Sequence, residues 1–169
     1  TGVKSNVQWH RSIADVPDGP SIILANEYFD ALPINQIIRK ETGWHERVID
    51  MDPNGQLIFS AAAEPQKHFE ILLPPLVRAA PVGAIYEWRS NHEIMKIGRR
   101  VRDFGGAALI IDYGHLRSDA GDTFQAVARH TFTDPLRNPG NADLTAHVDF
   151  QALALGEHEL AERLGRLAD

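Results

Sequence analysis

Two short runs of consecutive apolar residues predict strands that are buried on both faces. One run covers residues 21–25, after a turn-forming Pro-Asp-Gly-Pro sequence, and the other covers residues 107–111, after two glycines. Runs that do not alternate with polar residues are typical of parallel strands with helices on both sides. Residues 6–9 form a third and weaker strand candidate. The sequence therefore predicts a parallel sheet.

Apolar residues three or four positions apart predict a helix over residues 90–104, between the two runs. The apolar stripe consists of Ile94, Ile97, Val101 and Phe104. Gly105 is a typical residue at which a helix ends. Arg99, Arg100 and Arg102 lie mostly off the stripe, so we expect them on a solvated face.

Capping residues indicate two shorter helices. Asp122 precedes a stretch that extends to about His130, and Asp149 precedes a helix that begins at Phe150. The resulting order of strand, excursion, helix and strand is the βαβ pattern of a doubly wound α/β fold.

The excursion between the two strands, residues 35–63, has the pattern of β-hairpins. Its β-rich stretches are separated by the turn sequences Glu-Thr-Gly and Asp-Pro-Asn-Gly. These stretches are residues 36–40, 44–51 and 56–60. We therefore predict a three-stranded antiparallel meander inserted into an α/β core made of residues 1–34 and 64–169. Trp44 is expected to anchor the meander on that core, although with His45 it could instead line a groove.

Composition excludes several classes of protein. The chain has 169 residues, which suits a single domain, and 17 basic against 23 acidic residues give a net charge of −6. This acidic balance argues against a general nucleic-acid binder. The absence of cysteine excludes disulfides, Cys-ligated zinc and a thiol nucleophile. No apolar run reaches the roughly 18 residues needed to span a bilayer.

The residues that follow the two strands are candidates for chemistry, because ligands of open α/β sheets bind beyond the carboxyl ends of the strands. The first strand continues into Asn-Glu-Tyr-Phe-Asp-Ala-Leu-Pro at residues 26–33, and the second into Asp-Tyr-Gly-His at residues 112–115. Taken alone, Glu27 is most simply a solvated loop residue and Asp112 a turn former. Together, two neighbouring carboxylates at the open end of a sheet also suit a cationic or polyhydroxyl ligand.

Several familiar catalytic motifs are absent from the sequence. It contains no Gly-x-Gly-x-x-Gly, no Gly-x-x-x-x-Gly-Lys-Ser/Thr phosphate loop and no Gly-x-Ser-x-Gly nucleophile elbow. The nearest approach to a metal site is the group Asp143, His147 and Asp149, for which a hydrogen-bonded strand-to-loop cluster is the simpler interpretation. We therefore predict no metal.

The block Ala-Asn-Glu-Tyr-Phe-Asp-Ala-Leu-Pro at residues 25–33 resembles the signature of the MidA family of class I S-adenosylmethionine (SAM)-dependent methyltransferases. This family includes the mitochondrial complex I assembly factor with protein arginine methyltransferase activity. Four further blocks resemble the family in the same order along residues 7–155. They are Val7-Gln8-Trp9-His10, Gly43-Trp44-His45-Glu46-Arg47, the Leu-Ile-Ile-Asp-Tyr-Gly of residues 109–114 and residues 139–150.

The resemblance implies a partial Rossmann-like sheet in which strands 21–25 and 107–111 are the fourth and fifth. Enzymes of this class carry a glycine-rich loop for the methionine part of SAM, and the sequence contains no such loop. We therefore expect a piece of a larger catalytic domain that binds SAM weakly as it stands. The expected missing segments lie at both ends and near residue 154.

The resemblance also implies which residues surround the methyl transfer. The predicted catalytic residues are Glu27 as the main guanidinium partner, Asp30 as a second anchor, and Asn26. The predicted cofactor-binding residues are Trp9, His10 and Asn26, with core burial as the alternative for Trp9. The predicted substrate-binding residues are Tyr28, Phe29, Asp112, Tyr113 and His147, with Tyr28 or Phe29 forming a wall of the site.

By this resemblance we expect a SAM-dependent methyltransferase that acts on an arginine-bearing segment of a protein. Nucleic acid and membrane insertion are not expected, and a homodimer is one arrangement that the sequence allows. Two alternatives stay open, a methyltransferase of small molecules and a catalytically inactive Rossmann-like binding or assembly protein. The location implied is the cytoplasm for a bacterial protein and the mitochondrion for a eukaryotic one.

Overall fold

The computed structural model describes residues 7–155, which form eleven strands, four α-helices and one 3₁₀ turn. The strands are β1 (Ser21–Asn26), β2 (Ile34–Lys40), β3 (Gly43–Met51), β4 (Leu57–Pro65), β5 (Ile85–Arg89), β6 (Gly106–Ile111), β7 (Gly114–His115), β8 (Gln125–Ala128), β9 (Thr131–Thr133), β10 (Asp143–Thr145) and β11 (Val148–Asp149). The helices are α1 (Lys67–Glu70), α2 (Pro75–Arg78), α3 (His92–Phe104) and α4 (Phe150–Leu155), and the 3₁₀ turn is Ile13–Asp15.

The predicted parallel strands and the helix between them are confirmed. β1 and β6 pair in parallel from Ser21 opposite Gly106 to Asn26 opposite Ile111. Gly106 has a φ of 114°, and a Cβ there would lie 2.0 Å from the Ser21 carbonyl oxygen, so only glycine fits this register. α3 packs on the pair through Ile97, which contributes to a core with Ala25, Phe29 and Val148.

The prediction that both faces of these strands are buried is wrong for the described part of the chain. α3, the 3₁₀ turn and α4 contribute to the core on one face, where Ile23, Ala25 and Ile110 pack. The other face is open within residues 7–155, and Ile22 on it is 92% exposed. Leu24 and Leu109 are exposed as well. The apolar runs therefore predict the strands correctly, but among the described residues no element covers their second face.

The predicted hairpins are confirmed, and they belong to a larger sheet than expected. The inserted sheet is antiparallel with strand order β4-β3-β2-β5, so β5 adds a fourth strand well beyond residue 63. Trp44 is fully buried rather than lining a groove. It packs with Ile37, Val77 and Tyr86 in a core of the inserted sheet, and not against the parallel pair.

His45 is also buried, because both of its ring nitrogens have partners inside the inserted sheet. Nδ1 lies 2.8 Å from the Ala62 carbonyl oxygen, and Nε2 lies 2.7 Å from the Thr42 hydroxyl. This pairing accounts for a histidine in the interior, and it leaves His45 without the groove-lining role that the sequence allowed.

The helix predicted after Asp122 is wrong. Residues 125–133 form the hairpin of β8 and β9, and β10 pairs with β8 on its other edge. Arg129 and His130 have φ of 52° and 62° at the two turn positions, the left-handed conformation that a two-residue hairpin turn requires. A helix cannot pass through two such residues.

Two further expectations differ from the structure, and one agrees with it. Residues 7–9 form no strand, since no described strand pairs with them. Arg100 is buried rather than solvated, because its guanidinium donates to the carbonyls of Val16 and Pro17. The Asp149 cap is confirmed, since its Oδ1 accepts a hydrogen bond from the Ala152 nitrogen at the start of α4. None of the helices in the described range is long and apolar enough to cross a bilayer.

Candidate functional site

The site loop, residues 27–33, leaves the carboxyl end of β1 and leads directly into β2. Its first residue extends the parallel pairing, because the Glu27 nitrogen donates to the Ile111 carbonyl at 2.9 Å. Glu27 then turns the chain with a φ of 46°. For a residue with a Cβ this left-handed conformation is unfavourable. The turn leaves the Glu27 side chain exposed at the end of the sheet.

Asp112 holds the site loop through its carboxylate. Oδ2 accepts hydrogen bonds from the backbone nitrogens of Tyr28, Phe29 and Asp30, at 3.2, 2.8 and 3.3 Å. Oδ1 accepts from the Tyr113 nitrogen at 2.9 Å. A carboxylate bound by several backbone N–H groups is a strong, charge-assisted anchor. Both oxygens accept hydrogen bonds from the backbone, so Asp112 supports the loop, and its contact with a substrate stays a prediction.

Asp30 is the buried acid of the loop. It is only 6% exposed, and its Oδ1 has no hydrogen-bond partner among the described residues. Burial raises the pKa of Asp30, and the neighbouring charges of Asp112 and Glu27 raise it further, while the Ala31 N–H and Arg89 oppose this effect. The site therefore contains one exposed carboxylate and one buried carboxyl group on the same short loop.

The aromatic residues of the loop are placed differently from one another. Tyr28 is partly exposed, and burial together with the Glu93 carboxylate raises the pKa of its hydroxyl. Phe29 is 2% exposed and packs into the core under β1, which corrects the expectation that it could form a wall of the substrate site. The Tyr113 hydroxyl lies 3.5 Å from Oε1 of Glu27, to which it donates.

The predicted cofactor-binding residues are only partly brought together. His10, Asn26 and Tyr28 line one groove of about 440 Å³ beside α3. Trp9 is 92% exposed and does not line this groove, so core burial is excluded for it in the described structure. The groove is therefore lined by residues of two of the blocks that resemble the family, residues 7–10 and residues 25–33.

The segment before β11 closes the site on the side of the inserted sheet. The Ala146 nitrogen donates to the Asp30 carbonyl at 3.0 Å, and the His147 nitrogen donates to the Thr123 hydroxyl at 2.9 Å. The His147 side chain is exposed and lines a separate cleft of about 450 Å³. Across residues 7–155, no three His, Asp or Glu side chains are grouped so that they could hold a metal ion.

Comparison with known proteins identifies the family. A family model described as "Putative S-adenosyl-L-methionine-dependent methyltransferase" matches residues 1–164. The chain belongs to this methyltransferase family. The resemblance found in the sequence blocks is thereby confirmed, and so is the α/β fold that it implied.

Curated relatives of this methyltransferase family carry a more specific name. The chain is 42% identical over 149 residues to "Protein arginine methyltransferase NDUFAF7, mitochondrial" of Danio rerio, covering 87% of this chain and 35% of the relative. It is 37% identical over 156 residues to the homologue of Caenorhabditis elegans, covering 91% of this chain and 36% of the relative. The chain therefore spans about a third of the length of the curated relatives it matches.

Two solved structures of one superfamily from Burkholderia thailandensis share the fold. The first, of an uncharacterized protein, has a TM-score of 0.70 at 25% identity and covers 83% of this chain and 39% of its own. The second, bound to S-adenosyl-homocysteine, has a TM-score of 0.67 at 24% identity and covers 86% of this chain and 38% of its own.

The site loop carries four of the ten predicted site residues, Glu27, Tyr28, Phe29 and Asp30, and sequence reasoning missed one residue that contacts it. Arg89, the last residue of β5, donates to backbone carbonyls of the site loop and of the segment before β11. Its only signal in the sequence is a charged residue at the end of a stretch that alternates polar and apolar positions. That signal does not reveal partners more than 55 residues away.

Proposed function

We propose that the protein transfers a methyl group from SAM to an arginine side chain of a protein substrate. The observation that carries this proposal is the site loop, in which Asp112 fixes an exposed carboxylate and a buried carboxyl group at the end of β1. The names of the relatives and the S-adenosyl-homocysteine bound to the second Burkholderia protein support it. The net charge of −6 suits a cationic substrate segment.

Glu27 is the proposed main partner of the guanidinium. Its carboxylate is exposed and lies at the tip of a turn whose backbone is fixed on both sides, by Ile111 and by Asp112. A carboxylate in a fixed place can bind the planar guanidinium through two parallel hydrogen bonds and orient one nitrogen for an in-line attack. The Tyr113 hydroxyl, which donates to Glu27, would hold that carboxylate in position.

Asp30 is the proposed second anchor and the group that takes up the proton released on methylation. Because burial and the charge of Asp112 raise its pKa, Asp30 accepts a proton more readily than an exposed aspartate. Asn26, exposed at the end of β1, completes the set of polar side chains that a substrate nitrogen would meet.

SAM supplies a methyl group on a positively charged sulfur. The groove lined by His10, Asn26 and Tyr28 offers ring faces and hydrogen-bonding groups of the kind that hold a nucleoside, so these residues fit part of the cofactor. Trp9 lies next to His10 and is exposed, and stacking on the adenine stays a prediction for it. The 169 residues contain no glycine-rich loop for the methionine part.

The test is mass spectrometry of arginine-bearing candidate peptides after incubation with the full-length protein and SAM. We expect methylarginine with the wild type and at least about a hundredfold less with Glu27→Gln, because the neutral amide binds a guanidinium weakly. The variant should keep the affinity for SAM, measured by calorimetry. Turnover on small molecules alone, or SAM binding without transfer, would replace this proposal by one of the two alternatives that the sequence left open.

The eukaryotic relatives are named as mitochondrial proteins, which supports a mitochondrial location if this chain is eukaryotic. The cytoplasm stays the proposal for a bacterial protein. Blue-native electrophoresis would show whether the homodimer that the sequence allows is formed.

A further inference from the structure

Arg89 is the charged side chain through which the inserted sheet reaches the site loop. Nη1 donates to the His147 carbonyl at 2.7 Å, and Nη2 donates to the carbonyls of Ala146 at 2.7 Å and Asp30 at 3.3 Å. One guanidinium thus joins the site loop to the segment before β11. A backbone hydrogen bond joins the same two segments, because the Ala146 nitrogen donates to the Asp30 carbonyl.

The surroundings of Arg89 favour a fixed cation. Burial lowers the pKa of its guanidinium, and the carboxylates of Glu87, Asp112, Asp30 and Asp149 oppose that effect. Its Nε atom is buried without a partner among the described residues, so the side chain is held by its two terminal nitrogens. Lysine could not replace it fully, because an ammonium lacks the planar fork that reaches several carbonyls at once.

Asp112 and Arg89 hold the site loop from two different parts of the fold. Asp112 comes from the parallel pair and binds the backbone N–H groups of residues 28–30. Arg89 comes from the inserted sheet and binds the Asp30 carbonyl, at the end of that same run. The loop with Glu27 and Asp30 is therefore fixed through its backbone by both parts of the fold.

We propose that Arg89 is a positioning residue for methyl transfer, which sets the place of Asp30 and Glu27 by holding the backbone of the site loop against residues 146–147. The proposal rests on the proposed function of the site. It adds a role for the inserted sheet, which supports the reacting groups although none of the proposed catalytic side chains lies on it. Arg89 acts through the loop and does not contact the substrate.

Arg100 provides a control, because it too donates to backbone carbonyls and is more buried than the half-buried Arg89. Its carbonyl partners are Val16 and Pro17, and its Nε donates to the Ser21 hydroxyl at the start of β1, the end of the strand away from the site loop. The experiment compares Arg89→Gln, Arg89→Lys and Arg100→Gln in the full-length protein, each assayed well below its own melting temperature. Hydrogen exchange of peptides covering residues 26–33 and 143–149 is measured together with kcat and KM.

We expect Arg89→Gln to speed exchange in both peptides by about tenfold or more, and to lower kcat by about a hundredfold with little change in SAM affinity. Arg89→Lys should recover part of both losses. Arg100→Gln should lower the melting temperature and leave the exchange of these two peptides and kcat near the wild-type values. Equal exchange and equal kcat in Arg89→Gln and the wild type would overturn the proposal.

A pH profile separates positioning from general stability. Arg89 opposes the effects of burial, Asp112 and Glu27 on Asp30, so its loss raises the pKa of Asp30 further, while the Ala31 N–H still opposes the rise. The acidic limb of kcat/KM should then move to higher pH in Arg89→Gln and stay in place in Arg100→Gln. A shift of the same size in both variants would contradict the proposal. If the wild type methylates no arginine, the proposed function fails, and the exchange data alone decide the role of Arg89.

Discussion

The Oδ2 atom of Asp112 lies 2.8 Å from the backbone nitrogen of Phe29, across 83 positions of sequence. The two residues meet because β1 and β6 are parallel neighbours and therefore end at the same edge. Phe29 is buried in the core, so this hydrogen bond joins the end of β6 to a fixed point. The loop that follows β1 is consequently ordered by the strand beside it.

Removing the Asp112 carboxylate should destabilise the fold. Asp112→Ala leaves the nitrogens of residues 28–30 without their acceptor, and we expect a loss of about 2–3 kcal/mol in the free energy of unfolding. Asp112→Asn keeps an oxygen acceptor and should lose about half as much. Urea denaturation measures both. Asp103→Ala, at an exposed aspartate that pairs with Arg102, should leave the stability close to that of the wild type. Similar losses at the two positions would contradict the anchoring role of Asp112.

Glu27→Gly should separate stability from activity. Glycine adopts the φ of 46° at this position without the penalty that glutamate incurs, so the variant should gain up to about 1 kcal/mol of stability. The same variant has no carboxylate and should lose methyl transfer. Calorimetric melting and the peptide assay provide the two readings. A glycine variant that is both less stable and fully active would be the opposite of this expectation.

Asp30→Asn should stabilise the protein at neutral pH. Since the pKa of Asp30 is raised on folding, the folded protein binds this proton more readily than the unfolded chain. Stability therefore falls as the pH rises from the ordinary aspartate value through the raised one. The uncharged variant avoids this loss and should gain about 1 kcal/mol at pH 7, with the difference vanishing in acid. Melting curves at several pH values measure it.

Asp52 gives a control of opposite sign for that experiment. The backbone N–H groups of Gln56 and Asn54 lower the pKa of Asp52, so its contribution to stability is present at neutral pH and lost as the pH falls through the lowered value. Asp52→Asn should therefore lower the melting temperature at pH 7 and have no effect in strong acid. A gain in stability from both variants at pH 7 would show that the charge of Asp30 is not the cause.

Gly106→Ala should disrupt the parallel pair. The added Cβ would lie 2.0 Å from the Ser21 carbonyl oxygen, so β1 or β6 must shift, and we expect a loss of about 3 kcal/mol. Gly98→Ala is the matched control, because that glycine lies within α3 and a Cβ there meets nothing within 4 Å. It should stabilise the protein by up to about 1 kcal/mol. Denaturant unfolding of the two variants should move in opposite directions.

Local patterns were sufficient to predict β1, β6, α3 and the first three strands of the inserted sheet. Apolar runs, a helical stripe and hairpin turns are all signals contained within a few residues. The hairpin of β8 and β9 was missed because Gln-Ala-Val-Ala has no strong preference, and the pairing with β10 decides its conformation. Arg100 was misplaced for a similar reason, since its carbonyl partners are more than 80 residues away.

For the candidate site, the sequence identified the acidic loop but not what supports it. Glu27 and Asp30 stand out because they follow an apolar run that ends a strand. That Asp112 binds backbone nitrogens, and that Arg89 reaches the same loop from another sheet, depends on contacts between distant segments. Contacts between distant segments produce no periodic pattern in the sequence, so only the folded structure reveals them.

The chain enters and leaves the inserted sheet at neighbouring positions, because Ile34 and Arg89 lie opposite each other in the pairing of β2 with β5. A segment whose two ends lie side by side can be joined to a host through neighbouring positions without stretching it. Residues 34–89 also contain their own core around Trp44 and Val77. They therefore have the form of an insertion with a core of its own, joined to the rest of the chain at the place where Arg89 holds the site loop.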